Sequence, residues 1–309
     1  MQVTLFLYKF KITKTMKKML LTLAVISTIT FAACSDDDDN APRTSNLSLN
    51  ITGLESLGTE YVYEGWVIVN GSPVSTGTFS VNDSGELSQS SFVVEANTLA
   101  TATKFVLSIE PTNDPDPAPA NTKIVAGDFS GNSAGVTSTG IVGDFFTATG
   151  KYILATPTDG MMNNERSGIW FLDLTSGSPA TGLSLPTLPA GWKYEGWVVI
   201  NGTPISTGTF TDVAMADDNA ATTSFKGNVN NGPGYPGEDF IQNAPTGFTF
   251  PTDLRGRTAV ISVEPDPDNS PNPFTLKPLA HGVPSDADDH VTFTMGAGPV
   301  KEISGTVTR

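Results

Sequence analysis

Residues 63–79 read YEGWVIVNGSPVSTGTF, and residues 194–210 read YEGWVVINGTPISTGTF. The two stretches lie 131 positions apart and differ only by conservative exchanges. Each contains an aromatic and β-branched run, an Asn-Gly pair and a second β-branched run. Asn-Gly between such runs is the strongest short signal for a two-residue hairpin turn, because both residues accept a positive φ. The sequence therefore predicts the same β-hairpin twice, around Asn70-Gly71 and Asn201-Gly202.

A second pair of matching blocks follows the hairpins. Residues 105–111 read FVLSIEP, and residues 259–265 read AVISVEP, 154 positions apart. The wider spacing places about 23 extra residues in the second copy. They fall within the Gly-, Pro- and Asn-rich stretch Lys226–Phe250, which we expect to form a long surface loop. The duplication predicts one repeat over residues 47–178 and another over residues 179–309.

Each repeat has the pattern of antiparallel β structure. Further strands are predicted at Thr103–Ile109, Lys123–Phe129, Tyr152–Ala155 and Gly168–Leu174. Seven or so short strands in each repeat are typical of a β-sandwich. The predicted fold class is all-β, with two tandem antiparallel β-sandwich domains.

The first 33 residues resemble an export signal. Lys17-Lys18 precedes an apolar run, Met19–Ala33, which is too short for a membrane-spanning helix of about 20 residues. Phe31-Ala32-Ala33-Cys34 resembles the lipobox of bacterial lipoproteins, so we expect cleavage before Cys34 and lipid attachment to its thiol. Met16 is a better start for this signal than Met1, because the basic residues then follow it directly.

Residues 34–46 are predicted to be an acidic linker after the lipidated cysteine. Ser35 and the four aspartates that follow it resemble the surface-export signal of Bacteroidota lipoproteins. This resemblance implies the outer leaflet of the outer membrane, and a lipoprotein facing the periplasm is the alternative. In both cases the membrane is a partner through the lipid anchor.

Charge and cysteine content exclude some classes of function. Without residues 1–33 the chain carries 12 Lys+Arg against 32 Asp+Glu, a net charge of −20. Such a surface repels phosphate backbones, so we expect no nucleic-acid partner. The single cysteine rules out an intramolecular disulfide, and stability must come from packed cores.

The repeated motif resembles the extracytoplasmic C-terminal domain of the anti-sigma-K factor family. The pattern is Gly-Trp-x-x-x-Asn-Gly-x-Pro-x-Ser-x-Gly-x-Phe, followed by an apolar strand that ends in Glu-Pro. The matching positions are Trp66, Asn70, Gly71, Pro73, Ser75, Gly77, Phe79, Glu110 and Pro111, and in the second copy Trp197, Asn201, Gly202, Pro204, Ser206, Gly208, Phe210, Glu264 and Pro265. The family adds a cytoplasmic sigma-binding segment and a membrane helix. This sequence matches neither, so the resemblance implies a sensing or interaction role without direct sigma-factor contact.

Recurring acidic residues are the candidates for chemistry. Glu64 with Glu110, and Glu195 with Glu264, occupy equivalent positions in the two copies. Pairs of carboxyl groups about 5–10 Å apart act in glycosidases, and a neighbouring tryptophan can stack on a sugar ring. The alternative is that these glutamates are structural, with Glu-Pro ending a strand.

Trp66 and Trp197 are similarly open to two interpretations, as core residues or as ligand platforms, and we favour the core. Trp170 and Trp192, near the junction of the repeats, are expected to be partly exposed.

Oxygen-rich loops after the Glu-Pro pairs are weak candidates for calcium. Asp114 and Asp116 lie in the first loop, and Asp266 and Asp268 lie in the second. Neither loop has the spacing of an EF-hand, and their prolines hinder the curling that six to eight oxygen ligands require. We therefore predict solvated loops, with neither metal nor cofactor bound.

No arrangement for nucleophilic catalysis is evident, because the cysteine is assigned to lipid and both histidines lie in the second repeat without counterparts. We therefore expect a non-enzymatic lipoprotein that binds a protein or glycan partner or serves as a structural module. The alternative is a carbohydrate-binding or carbohydrate-processing surface lipoprotein.

Overall fold

The computed structural model describes residues 43–161, 163–268 and 270–309. Residues 43–309 form one compact unit. The predicted signal peptide, Cys34 and the acidic run at 35–39 lie outside the described residues. The last part of the predicted linker belongs to a strand, because β structure begins at Thr44.

Strands dominate the described chain. The first ten are β1 (Thr44–Thr52), β2 (Tyr61–Val69), β3 (Ser72–Phe79), β4 (Ser91–Glu95), β5 (Lys104–Pro111), β6 (Lys123–Ser130), β7 (Ser133–Thr137), β8 (Thr149–Leu154), β9 (Gly168–Trp170) and β10 (Leu172–Asp173). The next nine are β11 (Ala180–Thr181), β12 (Leu183–Ser184), β13 (Trp192–Ile200), β14 (Thr203–Phe210), β15 (Gly237–Asp239), β16 (Thr258–Pro265), β17 (Lys277–Gly282), β18 (Phe293–Val300) and β19 (Ser304–Thr308). A short helix, α1 (Ala96–Thr101), and a 3-10 turn at Glu165–Ser167 complete the described elements.

No helix in the described part of the chain has the length and apolar character needed to cross a membrane.

The described strands form two large antiparallel sheets. The first has the order β3-β2-β5-β6-β7-β19-β1-β4. The second has the order β14-β13-β16-β17-β18-β8-β9-β15, with β12 also paired to β8. The pair β10-β11 forms a small separate ribbon. The prediction of an all-β fold with two antiparallel β-sandwich domains is confirmed, in the form of two large sheets that make sandwich-like or barrel-like bodies.

The two sheets exchange strands. β19, from the end of the second repeat, lies between β7 and β1 of the first sheet, where Val307 is opposite Ala134 and Leu49. β8, which precedes residue 178, lies in the second sheet, where Tyr152 is opposite Phe293 of β18. Each sheet is therefore completed by strands from the other side of residue 178, and that position is not a boundary between sheets.

Both predicted hairpin turns are present. Asn70 and Gly71 have φ values of 51° and 81°, and Asn201 and Gly202 have 53° and 84°. In each turn the flanking residues face each other directly across the two-residue loop. Pro73 lies at the start of edge strand β3, where its missing N–H breaks no central ladder.

The main core is continuous through both repeats. Tyr63 stacks on Phe79 with ring centroids 5.5 Å apart, and Tyr194 stacks on Phe210 at 5.6 Å. Buried residues from both repeats belong to one hydrophobic cluster. Trp66 packs with Val106 and Ala126 in a smaller, separate cluster, because alternate side chains of a strand face opposite sides of the sheet.

The expectation that Trp170 and Trp192 are partly exposed is wrong. Each is only 2 % exposed. The junction where we expected exposure is covered, because Trp170 belongs to β9 between two other strands and Trp192 packs against Phe274 with ring centroids 5.8 Å apart.

The prediction of a surface loop over Lys226–Phe250 is wrong in part. β15 lies inside this stretch and pairs with β9 at the edge of the second sheet. Phe240 is fully buried, and its ring centroid is 6.1 Å from that of Phe225 and 5.4 Å from that of Phe250. These phenylalanines fix the insertion against the sheet.

Candidate binding site

Both repeats contain the same buried chain of hydrogen bonds from a tryptophan to a glutamate. In the first, Trp66 Nε1 donates to Ser108 Oγ at 2.8 Å, and the Ser108 hydroxyl donates to Glu110. In the second, Trp197 Nε1 donates to Ser262 Oγ at 2.7 Å, and the Ser262 hydroxyl donates to Glu264. The repeated sequence thus specifies a repeated polar network across neighbouring strands.

Glu110 and Glu264 end these networks and hold the loop that follows. Glu110 accepts from the Ala120 backbone N–H at 2.8 Å. Glu264 accepts from the Phe274 N–H at 2.9 Å through Oε1 and 3.1 Å through Oε2. Burial raises the pKa of Glu110 and raises that of Glu264 to about 8. Each is 1 % exposed, so these carboxyl groups bind the chain's own backbone.

The other recurring glutamate differs between the repeats. Glu64 accepts from the Ser75 hydroxyl and is half-buried. Glu195 accepts from the Ser206 hydroxyl through Oε1 but is 4 % exposed, and its Oε2 has no hydrogen-bond partner within the described chain. Burial raises the pKa of Glu195 to about 7, and the nearby charge of Asp268 acts in the same direction.

Glu195 lines a cavity of about 330 Å³, and Glu64 does not. Strands β13 and β14 supply one side of this cavity. Phe225 and Phe248, on either side of β15, supply the opposite wall, and Asp268 contributes from the loop after β16. The volume is at the lower end of the range for ligand pockets. We call it the Glu195 cavity.

The extra stretch of the second repeat, together with Phe225 just before it, therefore supplies one wall of the cavity. Phe225 is held by Phe250, with ring centroids 5.4 Å apart in an edge-to-face arrangement. Its carbonyl accepts from the Ile241 N–H at 3.0 Å and from the Gln242 N–H at 3.1 Å. A wall fixed by ring packing and backbone hydrogen bonds is suited to a preformed site.

Three of the four calcium candidates accept hydrogen bonds from backbone N–H groups of their own turns. Asp114 accepts from the Asp116 N–H at 2.8 Å, Asp116 accepts from the Ala118 N–H at 3.0 Å, and Asp268 accepts from the Ser270 N–H at 2.9 Å. Asp266 lies 3.6 Å from Lys193 Nζ. Within the described residues no group of three or more His, Cys, Asp or Glu side chains is arranged to hold a metal ion.

A buried group of acids in the second repeat was not predicted from the sequence. Asp217, Glu238 and Asp239 are 6 %, 2 % and 0 % exposed. Asp239 accepts from Trp170 Nε1 and from the Thr158 N–H, both at 2.8 Å. Burial raises the pKa of Glu238 to about 8 and those of the two aspartates to about 6. Glu238 and Asp239 directly follow a Gly- and Pro-rich run at 232–237 that is typical of an exposed loop, and Asp217 lies in a polar stretch without β-branched alternation, so no local signal marks these residues as buried.

The fold and the cavity together define a duplicated, strand-exchanged all-β protein with a ligand-sized site on its second sheet. No protein-family model matches the chain, and neither the curated proteins nor the solved structures include a match. The resemblance of the repeats to the anti-sigma-K domain thus stays a prediction from the motif.

Proposed function

We propose that the protein is a non-enzymatic binding protein whose ligand occupies the Glu195 cavity. The observation that carries this proposal is a buried carboxylate oxygen, Oε2 of Glu195, with no hydrogen-bond partner among the described residues, in a residue that lines a cavity of about 330 Å³. A buried acceptor without a hydrogen bond costs about 1–3 kcal/mol, so a site that retains one gains from a ligand that satisfies it.

Binding accounts for the recurring glutamates better than hydrolysis. A glycosidase of the usual type needs both carboxyl groups at the scissile bond. Glu264 is 1 % exposed, is engaged by Ser262 and Phe274, and does not line the cavity. Of the pair Glu195 and Glu264, only the first is placed to contact a ligand there.

The proposed location is outside the cytoplasm, on a lipid anchor at Cys34. The export signal and the acidic run support a lipoprotein of the outer membrane, exposed at the cell surface or facing the periplasm. Metabolic labelling with palmitate tests the anchor: the wild-type chain should incorporate label, and Cys34→Ala should not. Protease added to intact cells then separates the two orientations, since only a surface protein is cleaved.

The resemblance to the anti-sigma-K domain supports a sensing or interaction role for the repeats. A protein held outside the cytoplasm cannot touch a cytoplasmic sigma factor, so any signal would pass through an unidentified protein or glycan partner. Sigma-factor inhibition is therefore not part of the proposal.

A matched pair of variants tests the proposed site. The purified full-length protein is first screened for binding on a glycan array. Glycans that bind, and a panel of neutral, anionic and cationic small molecules, are then tested in solution for their effect on its melting temperature. Ligands of the cavity should lose their stabilising effect in Glu195→Gln and keep it in Glu64→Gln, the equivalent position without the insertion. Equal loss in both variants, or ligands unaffected by Glu195→Gln, would place binding elsewhere.

A carbohydrate-processing protein is the second candidate, and one observation favours it. Glu195 and Asp268 both line the cavity beside Phe225 and Phe248, so two carboxyl groups and two rings surround the same space. A hydrolase screen on chromogenic glycosides tests it. Turnover that disappears in both Glu195→Gln and Asp268→Asn would replace the binding proposal.

A further inference from the structure

The polar side chains of the Glu195 cavity are mainly acceptors. Glu195 and Asp268 are its ionisable groups, and no lysine, arginine or histidine among the described residues lines it. The Trp197 indole N–H is donated to Ser262, and the Ser206 hydroxyl is donated to Glu195. A ligand there finds negative charge and hydrogen-bond acceptors, and few free donors.

The walls are apolar and partly aromatic. Phe225 and Phe248 face the cavity together with Pro204, Pro245 and Pro271. Aromatic ring faces carry partial negative charge and attract cations. The prolines and phenylalanines also favour burial of an apolar part of a ligand away from water. A sugar, which needs several donors and acceptors around its ring, fits this lining less well.

The whole chain strengthens the preference for a positive ligand. It carries 17 Lys+Arg against 32 Asp+Glu, a net charge of −15. A potential of this sign raises the local concentration of cations and repels anions at low ionic strength.

We propose that the ligand of the Glu195 cavity is an organic ammonium ion, a protonated amine on a short apolar stem. This inference rests on the proposed binding function of the cavity and adds the chemical class of its ligand. The ammonium lies beside the Glu195 carboxyl group, whose buried Oε2 has no hydrogen-bond partner among the described residues, and rotation of that group brings the oxygen to the ammonium N–H. The stem packs between Phe225, Phe248 and the prolines, and the rings add a cation–π contribution.

Glu195 couples this binding to pH. The charged or titratable groups that act on it are Asp268, from the loop after β16, and Glu264, on β16 itself, while Ser206 of β14 donates a neutral hydrogen bond. Burial raises the pKa of Glu195 to about 7, so a large part of the population is protonated at neutral pH and cannot pair with an ammonium. The apparent affinity therefore scales with the ionised fraction of Glu195.

Isothermal titration calorimetry of the full-length protein with n-butylammonium, and separately with the neutral n-butanol, tests the inference. The ammonium should bind at least tenfold more tightly than the alcohol at pH 8. Its affinity should fall about tenfold from pH 8 to pH 6, because the ionised fraction of a group with a pKa of about 7 falls by that factor. The alcohol should show no such fall.

Two variants complete the test. Glu195→Gln should weaken butylammonium about 10- to 100-fold, the range for a hydrogen bond to a charged group, and leave butanol within a factor of two or three. Glu64→Gln should leave both unchanged. If Glu195→Gln does not fold, the pH profile of the wild-type chain still decides.

The outcomes separate this inference from the proposed function. Equal affinity for both probes, with binding lost in Phe248→Ala, overturns the ammonium preference and leaves the cavity as a binding site. Binding of neither probe overturns the ammonium inference, and the broader ligand screen then decides the proposed function.

Discussion

At the scale of single residues, Glu64 and Glu195 show how identical local sequence acquires different chemistry. Both accept from a serine two positions after a proline. Only Glu195 is covered by Phe225 and Phe248, which lie 30 or more positions further along the chain. The sequence could identify the glutamates, because they recur. It could not predict which one lines a cavity, since that depends on tertiary contacts.

Buried acids predict that stability falls with rising pH. Burial raises the pKa of Glu195 to about 7 and those of Glu238 and Glu264 to about 8, from 4.5 for an exposed glutamate. Between these limits the folded state binds more protons than the unfolded chain. Their stabilising contribution is complete below about pH 4.5 and is lost as pH rises through 7 to 8. The melting temperature should therefore be higher at pH 5.5 than at pH 8.5.

Glu264→Gln should flatten this pH dependence. The amide oxygen can accept from Phe274 and Ser262 as the carboxyl group does, but it has no charge to bury. The variant should gain stability relative to the wild type at pH 8.5 and gain less at pH 5.5, by chemical denaturation at both pH values. Glu60→Gln, at an exposed glutamate, is the control and should leave the pH profile unchanged. A profile that keeps its slope in Glu264→Gln would contradict the assignment.

At the scale of elements, the hairpins follow from local sequence and the edge of the second sheet does not. Asn-Gly specifies its turn within two residues, so both turns were predictable. The predicted strand positions also agree with β5, β6, β8 and β9 to within a few residues. β15 was not predicted because its three residues, Gly237–Asp239, lack an alternating pattern. Their extended conformation is stabilised by pairing with β9.

Gly202→Ala should destabilise the second hairpin through the backbone alone. Gly202 has a φ of 84°, and a Cβ placed there would meet no atom within 4 Å. The left-handed conformation costs an L residue roughly 1–2 kcal/mol, and urea denaturation should show a loss of about that size. Gly282→Ala is the matched control, because its position is exposed, equally open and free of positive φ. Equal effects in the two variants would contradict the turn assignment.

At the scale of the whole molecule, the duplication is visible in the sequence but the exchange of strands is not. Two copies in tandem are compatible with two separate sheets or with shared ones, because the sequence pattern of a strand does not determine which other strand it pairs with. The exchange requires long-range pairings, such as Thr52 with Ser304. These pairings predict that the described unit, Arg43–Arg309, unfolds cooperatively. Scanning calorimetry should show one transition, with equal van't Hoff and calorimetric enthalpies, and two resolved transitions would contradict this expectation.

A charge on the exchanged strand should disrupt the first sheet from the other end of the chain. Val307 is fully buried between β7 and β1, so Val307→Asp leaves an unpaired charge in the core and should cost about 3 kcal/mol or more. Thr306→Asp, on the exposed face of the same strand, is the matched control and should cost far less. Similar losses for the two variants would show that β19 is not inserted.

The insertion of β19 also sets an order of events during folding. The strands of the first half cannot close their sheet alone, because β7 and β1 are separated in it by residues 304–308. Until that distant strand arrives, β7 and β1 each keep one unpaired edge. Because bringing together segments so far apart in sequence is slow, the first sheet should be completed late in folding.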